Sequence, residues 1–492
     1  MTDDQGWGDL SFHGNDSIST PHLDALAKQS IQFDRFFVSP VCAPTRASLL
    51  TGRYHLRTGT SWVTHRKEIM REDELTIAEI FKSAGYATGL FGKWHNDAQF
   101  PHNPTGQGFD EFYGFTAGHW NNYFNTSLTD NGKEVRPEGY IIDVLTDKAI
   151  QFMEKNSSQK NQKPFLCYVP YNTPHSPFQV PDKYFDKYKK MGLTDKNASV
   201  HGMVENIDNN VNRLLQTLEQ QKILENTIVI SLTDNGPNGK RFNGGMRGTK
   251  GSVHEGGVRV PCFMSWKNHL PENQIIKQNA AHIDLLPTLA ELCKIEIPKN
   301  HHFDGKSLVP LLTNKNTEWE KRNIYTIHTE GELRIRPAAV RTNNYRMVVD
   351  RDGNPHLFDM KNDASEKNDL VTQMPKVVDS LKNDLENWFK DVTQKGIKPS
   401  ITQVGHNESP TTHLPAPEAK INGDVLFKGD RGWANDYIID WKSKGDQANW
   451  EIEVVEDSRF EIFINYNCSK EFLPANLNVK IGDQTNDFNI EK

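Results

Sequence analysis

The amino-acid sequence predicts an α/β domain around a largely parallel sheet, then a smaller antiparallel sheet, then an appended small β-sandwich. Three observations support this. Helical and strand patterns alternate over the first 300 residues, as they do in a sheet covered by helices. From about Ile324 to Phe358 the text becomes alternating and polar, with Asp352-Gly353-Asn354 as a turn signal. Beyond 421 the period is again two, as in Trp450-Glu451-Ile452-Glu453-Val454 and Phe460-Glu461-Ile462-Phe463-Ile464.

Each element has a local reason. Thr20 precedes Pro21, and Leu23, Leu26 and Ala27 then share a helical face. Leu75 to Ala84 repeats that period and stops at Gly85. From Val200 to Leu218, Met203, Val204, Ile207, Val211, Leu214, Leu215 and Leu218 form one apolar stripe. The short apolar runs Ala87–Phe91, Phe165–Val169 and Ile228–Leu232 read as buried strands. A helix is expected near Val377–Phe389, with Val378, Leu381, Leu385, Trp388 and Phe389 on one face. Residues 396–420 carry Pro399, Pro410, Pro415 and Pro417 among polar residues, the composition of a linker. The expected division is 1–320, 321–395, the linker 396–420, and the β module 421–492.

At 492 residues the chain exceeds the usual length of one domain. Fifty-seven basic and 64 acidic residues form no block of like charge, which disfavours a nucleic-acid groove or a polybasic membrane surface. No apolar run approaches the roughly 20 residues of a membrane helix. Cys42, Cys167, Cys262, Cys293 and Cys468 are widely spaced and form no C-x-x-C pair, against zinc and against a disulfide framework.

The residues just past the predicted strands carry the chemistry. Gly92-Lys93-Trp94-His95 follows one strand, Pro170 and then His175 follow another, and Thr233-Asp234-Asn235-Gly236 follows the third. Open α/β sheets bind ligands outside the carboxyl ends of their strands, so one site assembled from distant segments is expected. In Cys42-Ala43-Pro44-Thr45-Arg46, Pro44 suits a first helical turn and puts Cys42 at a helix N-terminus. A buried inert thiol and a thiolate activated by the helix end and Arg46 are both consistent with that position. Asp3-Asp4 alone reads as a solvated turn, and Thr233–Gly236 alone as an Asx turn.

Taken together these segments resemble the type I sulfatases, formylglycine-dependent members of the alkaline phosphatase superfamily. Cys42–Arg53 is similar to the family's maturation signature, C-x-P-x-R followed by T-G-R. Asp3–Asp9, Gly92–His95, Thr173-Pro174-His175, Thr233–Gly236 and Gly248–Pro261 resemble further family motifs in the family's order, over about residues 1–395. Asn96 departs from the pattern, standing where the family usually has an apolar residue. The resemblance implies an alkaline-phosphatase-like fold, a large mixed sheet between helices with a smaller antiparallel sheet after it. It implies Ca2+ (or Mg2+) on Asp3, Asp4, Asp234 and Asn235, with Cys42, oxidised to formylglycine, completing the shell. An all-oxygen set suits such a hard cation.

The implied catalytic set is Cys42, Arg46, Lys93, His95, His175 and Lys250. The formylglycine hydrate attacks sulfur to give a sulfo-enzyme intermediate. Arg46, Lys93 and Lys250 hold the sulfuryl oxygens, His175 (or Lys250) protonates the leaving oxygen, and His95 acts as base. The implied partners are a sulfated carbohydrate and a formylglycine-generating or maturase enzyme. No nucleic acid or integral membrane contact is expected. The alternatives are a phosphodiesterase or phosphonate hydrolase of the same superfamily, or an inactive carbohydrate-binding protein. Candidate specificity residues are His65 and Arg66, His119 to Tyr123, Arg334 and Arg336. The family places an apolar strand before the Asp-Asp pair, where this chain has only Met1-Thr2. That strand, and any export signal with it, is expected to be missing here. The β module is expected to be incomplete in turn, and the location periplasmic or secreted.

Overall fold

The structure is a computed structural model that describes residues 1–158, 162–299, 301–313, 319–398 and 400–491. Pro399, one of the four prolines of the expected linker, lies outside the described residues.

Two half-sheets meet along residues 1–4. The first has five strands in the order Lys133–Val135, Leu128–Asp130, Glu111–Phe115, Ala87–Lys93 and Phe165–Tyr168. The second has four, Gln274–Ile276, Ile31–Phe33, Cys262–Ser265 and Val229–Leu232. Between Phe165–Tyr168 and Val229–Leu232 lie Met1 and Thr2. The Thr2 amide donates to the Leu232 carbonyl at 3.0 Å, and the Tyr171 amide donates to the Met1 carbonyl at 2.9 Å. The sheet is mixed: Ala87–Lys93 runs parallel to both neighbours, while Cys262–Ser265 is antiparallel to both of its own. The largely parallel sheet read from helix–strand alternation is thus corrected. Short return strands leave the same alternating text whichever way they pair.

The alternation along Ala87–Lys93 explains why helices cover both faces. Phe91 packs among residues of Ile141–Ser157 and Asp195–Gln220, whereas Leu90 points to the opposite core with Leu50, Ile77 and Phe81. The helix Ile77–Ser83 starts at a capping box between Thr76 and Glu79. The helix Asp195–Gln220 begins one turn before the apolar stripe because Thr194 caps it, its hydroxyl accepting from the Asn197 amide.

After this domain come four antiparallel strands, Ile324–Ile327, Ala338–Arg341, Tyr345–Val349 and Pro355–Asp359, with the helix Pro375–Val392 packed on them. Asp350 shapes the predicted turn, its carboxylate accepting from the amides of Asp352, Gly353 and Asn354.

Two C-terminal expectations are corrected. Residues 396–420 are not a free linker: they hold the strand Thr402–Val404, and Pro417 and Glu418 are gripped by His65 and Arg66. Composition signals a chain that avoids regular structure, not one that avoids contact. Residues 421–491 form two-stranded ribbons, with no buried apolar cluster among the described residues, where alternation suggested a sandwich. Phe460–Ile464, read as a strand, is irregular, and Phe463 is 84% exposed. Alternation makes an apolar face, but a lone ribbon offers nothing to bury it against.

Candidate active site

Every predicted site residue converges on the carboxyl ends of the central strands. Asp3 and Asp4 follow the bridge of Thr2 to Thr233, and Asp234 and Asn235 follow Thr233 on the neighbouring strand. Lys93 ends Ala87–Lys93, with His95 just beyond it. Cys42 opens the helix Cys42–Thr51, with Val41 as its N-cap. Gly92 is required for this aim: its φ is 146°, and a Cβ there would stand 2.1 Å from the Pro170 carbonyl. Asp4 and His95 adopt left-handed backbone at φ 64° and 72°. Such positions cost roughly 1–3 kcal/mol and are retained where the surroundings enforce them.

The centre is a set of buried ion pairs. Lys93 Nζ lies 2.6 Å from Asp3 Oδ2, Arg46 Nη2 lies 2.9 Å from Asp234 Oδ2, and Lys250 Nζ lies 2.7 Å from Asp4 Oδ1. Asn235 Nδ2 donates to Asp4 Oδ1 at 2.8 Å, and the Asp4 amide donates to Asp234 Oδ1 at 3.1 Å. The ligand atoms of Asp3, Cys42 and Asp234 lie within 4.8 Å of one another, as do those of Asp3, Asp4 and His175. Asp3, Asp4, Asp234, Asn235, Arg46 and Lys93 are all fully buried.

The donor set fits a hard cation. Asp3 Oδ1, Asp4 Oδ2 and Asn235 Oδ1 are buried and have no hydrogen-bond partner among the described residues. Buried acceptors are rarely left unpaired, and orphaned oxygens on Asp3, Asp4 and Asn235, residues of one ion-paired and hydrogen-bonded centre, match the ligand chemistry of Ca2+ or Mg2+. Three carboxylates against three cationic side chains sum to zero. A bound divalent ion leaves the centre positive, as an anionic ester requires.

Electrostatics sort the titratable groups. Burial opposes ionisation of Asp3, yet Lys93, His175 and Arg46 together hold its carboxyl well below the usual range. Burial and the charge of Asp3 push Asp234 up. Burial opposes the charge on Lys250, but Asp4 above all keeps it a cation. Burial raises the Cys42 thiol, against the pull of Lys93 and Lys250. The activated-thiolate reading of Cys42 is therefore corrected, since Arg46 spends its charge on Asp234 and the thiol is desolvated.

The two histidines are fixed in tautomer by carbonyls. His95 Nε2 donates to the Val63 carbonyl at 2.8 Å, so Nδ1 is the acceptor, and it is buried without a partner among the described residues. Burial and Lys93 hold His95 neutral, well below 6.5. His175 Nδ1 donates to the Ser176 carbonyl at 2.7 Å, leaving Nε2 3.7 Å from Asp4 Oδ2. Burial and Lys250 lower its pKa.

Several residues act as supports, a role the sequence did not mark even where it singled the residue out. Thr45 donates to the Asp234 carbonyl at 2.7 Å. Arg241 binds Asp9 and the Asp4 carbonyl, so Asp9 braces the metal-motif loop from outside the cluster. Asn96 donates to the carbonyls of Ala43 and Glu68, tying the helix of Cys42 to the loop after it. The His119 ring lies parallel to His175 at 6.3 Å. Of the specificity candidates, Arg66 pairs with Glu418 and Asp97, Arg334 with Glu330, and Arg336 donates to the Asp352 carbonyl. These three support the fold around the site.

Comparison with known proteins gives the family. The Sulfatase family model matches residues 1–295, and that of the N-sulphoglucosamine sulphohydrolase C-terminal region matches residues 249–392. The chain belongs to the sulfatase family, with the alkaline-phosphatase-like fold, and is a sulfuric ester hydrolase. It is 28% identical to the uncharacterized sulfatase YdeN of Escherichia coli (strain K12), over 82% of this chain and 81% of that one. It is 29% identical to the N-acetylgalactosamine-6-sulfatase of Canis lupus familiaris, over 63% of this chain and 65% of that one. The crystal structure of Ps i-CgsB in complex with k-i-k-neocarrahexaose superposes with a TM-score of 0.75 at 30% identity, covering 81% of this chain and 94% of that one. No helix among the described residues is long and apolar enough to cross a membrane.

Proposed function

We propose that the chain hydrolyses O-sulfate esters of a sulfated carbohydrate, with Cys42 matured to formylglycine. The single observation that carries this reading is the convergence of Cys42, three carboxylates and three cationic side chains on one buried point beside orphaned oxygens. Asp3, Asp4, Asp234 and Asn235 hold the cation, Ca2+ by family resemblance, with residue 42 as a further ligand. When bound, the cation lowers the pKa of a coordinated hydroxyl and draws charge from the sulfuryl oxygens. The matured residue supplies the hydrated aldehyde as nucleophile.

The rest falls to the chain's own side chains. Arg46, Lys93 and Lys250 bind and orient the sulfuryl group, where preorganised charge acts without reorganisation. The departing sugar oxygen takes its proton from Lys250, which Asp4 keeps a cation, or from His175 in its imidazolium form, whose Nε2 carries a proton only then because Nδ1–H is engaged by the Ser176 carbonyl. His95 takes a proton from residue 42 at Nδ1, the nitrogen its Val63 contact leaves open. A neutral imidazole is the form a base requires. The carbohydrate class draws support from the neocarrahexaose held by Ps i-CgsB and from the amino-sugar sulfatase activity named for the canine relative. An exported location and a maturase partner belong to the same reading.

The test is release of sulfate and phosphate from sulfated oligosaccharides and matched phosphate esters. The chain is co-produced with a formylglycine-generating enzyme and compared with Cys42→Ala. Sulfate release lost in the variant is the expected result. Phosphate release instead would move the chain to the phosphodiesterase alternative. Sugar binding without release, on a matured residue 42, would favour the inactive binding protein.

A further inference from the structure

A cavity of about 590 Å³ opens between the 62–65 loop and the C-terminal ribbons, lined by Trp62, Thr64, His65, Glu330, Arg351, Arg431 and Trp433. Its size falls within the range of ligand sites, about 300–1,000 Å³.

One wall is continuous with the catalytic centre. The Val63 carbonyl, beside Trp62, accepts from His95. The Trp62 ring stacks on His328 at 5.0 Å, and His328 lies against Gly251, next to Lys250. His328 is buried, and neither ring nitrogen has a hydrogen-bond partner among the described residues.

The opposite wall is the turn between the strands Leu426–Phe427 and Ile438–Ile439, clamped onto the same loops. Thr64 donates to the Gly432 carbonyl at 3.3 Å, and His65 Nε2 lies 2.8 Å from the Arg431 carbonyl. Asn435 donates to the carbonyl of His119, whose ring lies parallel to His175. The ribbon therefore spans from the His95 side of the centre to the His175 side.

The lining has the chemistry of an anionic sugar. Two indoles offer flat apolar faces for a pyranose ring. Two guanidiniums offer planar forks that match a sulfate or a carboxylate. Arg351 is paired with Glu330 at 2.6 Å, whereas Arg431 makes no ion pair among the described residues.

We propose that this cavity is a subsite for an anionic sugar residue next to the one whose ester is cut, with Trp62 and Trp433 as its stacking faces and Arg431 as its anion-binding group. The proposal rests on the sulfatase reading above, and the C-terminal ribbon thereby becomes part of the substrate cleft.

The test uses the full matured chain and the variants Arg431→Ala, Arg431→Lys and Trp433→Ala. Three probes are used: a carrageenan tetrasaccharide carrying a neighbouring sulfate, a chondroitin sulfate tetrasaccharide carrying a neighbouring carboxylate, and 4-nitrophenyl sulfate. Turnover is read as the ratio of kcat/KM for each tetrasaccharide to that for the aryl sulfate. Binding is read separately by calorimetry on the Cys42→Ala background. We expect Arg431→Ala to lower the ratio and the affinity about 10- to 100-fold for at least one tetrasaccharide, as loss of a charged hydrogen bond does. Arg431→Lys should recover part of the loss, and Trp433→Ala should lower the ratio about tenfold. The responding tetrasaccharide tells sulfate from carboxylate. Turnover of a tetrasaccharide with an unchanged ratio in both alanine variants would overturn the subsite and leave the sulfatase reading standing. Arg431-dependent binding without sulfate release from any probe would do the reverse. Equal losses on the tetrasaccharide and the aryl sulfate, or no binding of either tetrasaccharide, would overturn the subsite.

Discussion

The charged centre at the strand ends and the ribbons at residues 421–491 solve opposite problems. The centre buries charge completely, and each carboxylate is answered by a cation from a distant segment: Asp3 by Lys93, Asp4 by Lys250, Asp234 by Arg46. The ribbons bury almost nothing of their own and are held by what they touch, through Thr64 to Gly432, His65 to Arg431 and Asn435 to His119. The first region depends on every one of its partners, because removing any of them strands a charge in a dry interior. The second stays in place only as long as its contacts with the catalytic loops persist. Activity and stability should therefore respond differently when each is damaged.

The largest expected effect is on chemistry. Cys42→Ala should drop sulfate release to background and lower the melting temperature by no more than a chelator does, because the ion pairs stay intact and only one ligand of the cation is lost. Lys93→Ala should cost on the order of 100–1000-fold in kcat, and it should also lower the melting temperature because it strands the buried Asp3 carboxylate.

Arg46→Ala should damage both properties. It leaves Asp234 and part of Asp3 uncompensated, and denaturant titration should show a loss of about 3–5 kcal/mol. A chelator should reproduce part of this, lowering both activity and melting temperature. Added Ca2+ at a hundredfold excess over its Kd should return about 2.7 kcal/mol. If the melting temperature ignores both chelator and Ca2+, the orphaned oxygens of Asp3, Asp4 and Asn235 are not a cation site.

The junction should respond to pH. Burial and then Asp97 push Glu418 up to about 7, offset by Arg66. Burial and then Glu418 push Glu68 up to about 8. Both folded values lie above the ordinary 4.5, so the docked state is favoured fully below 4.5. That stability is lost as pH rises through 7 to 8. Limited proteolysis of 400–491 should therefore quicken between pH 6 and pH 8 relative to the catalytic domain. Arg66→Ala should quicken it at every pH. A protease pattern independent of pH would mean that the two carboxyls are solvated.

The smallest effect belongs to the ribbons' own surface. Phe463→Ser should leave unfolding of the catalytic domain within experimental error, because the ring is 84% exposed.

Much of the centre was legible because its residues sit in contiguous motifs at strand ends. Lys93, His175 and Asp234-Asn235 each come after an apolar run, and neighbouring strands bring such ends together. The supports were not legible. Val63 and Ser176 act through carbonyls that any residue possesses, so nothing in their identity marks them. Thr45, Asn96 and Arg241 meet their partners across 189, 53 and 237 positions respectively. The β module misled because period two describes a strand's faces and says nothing of whether a second sheet covers one.

The sequence by itself determined the class of fold, the family and the residues that converge on the centre, since short-range patterning and contiguous motifs are written in residue order. Only the tertiary structure decided the protonation states, the orphaned oxygens and the cavity shared with the C-terminal ribbon. Each of those depends on which atoms lie within a few ångströms after folding, and burial and carbonyl direction are properties of the packed chain alone.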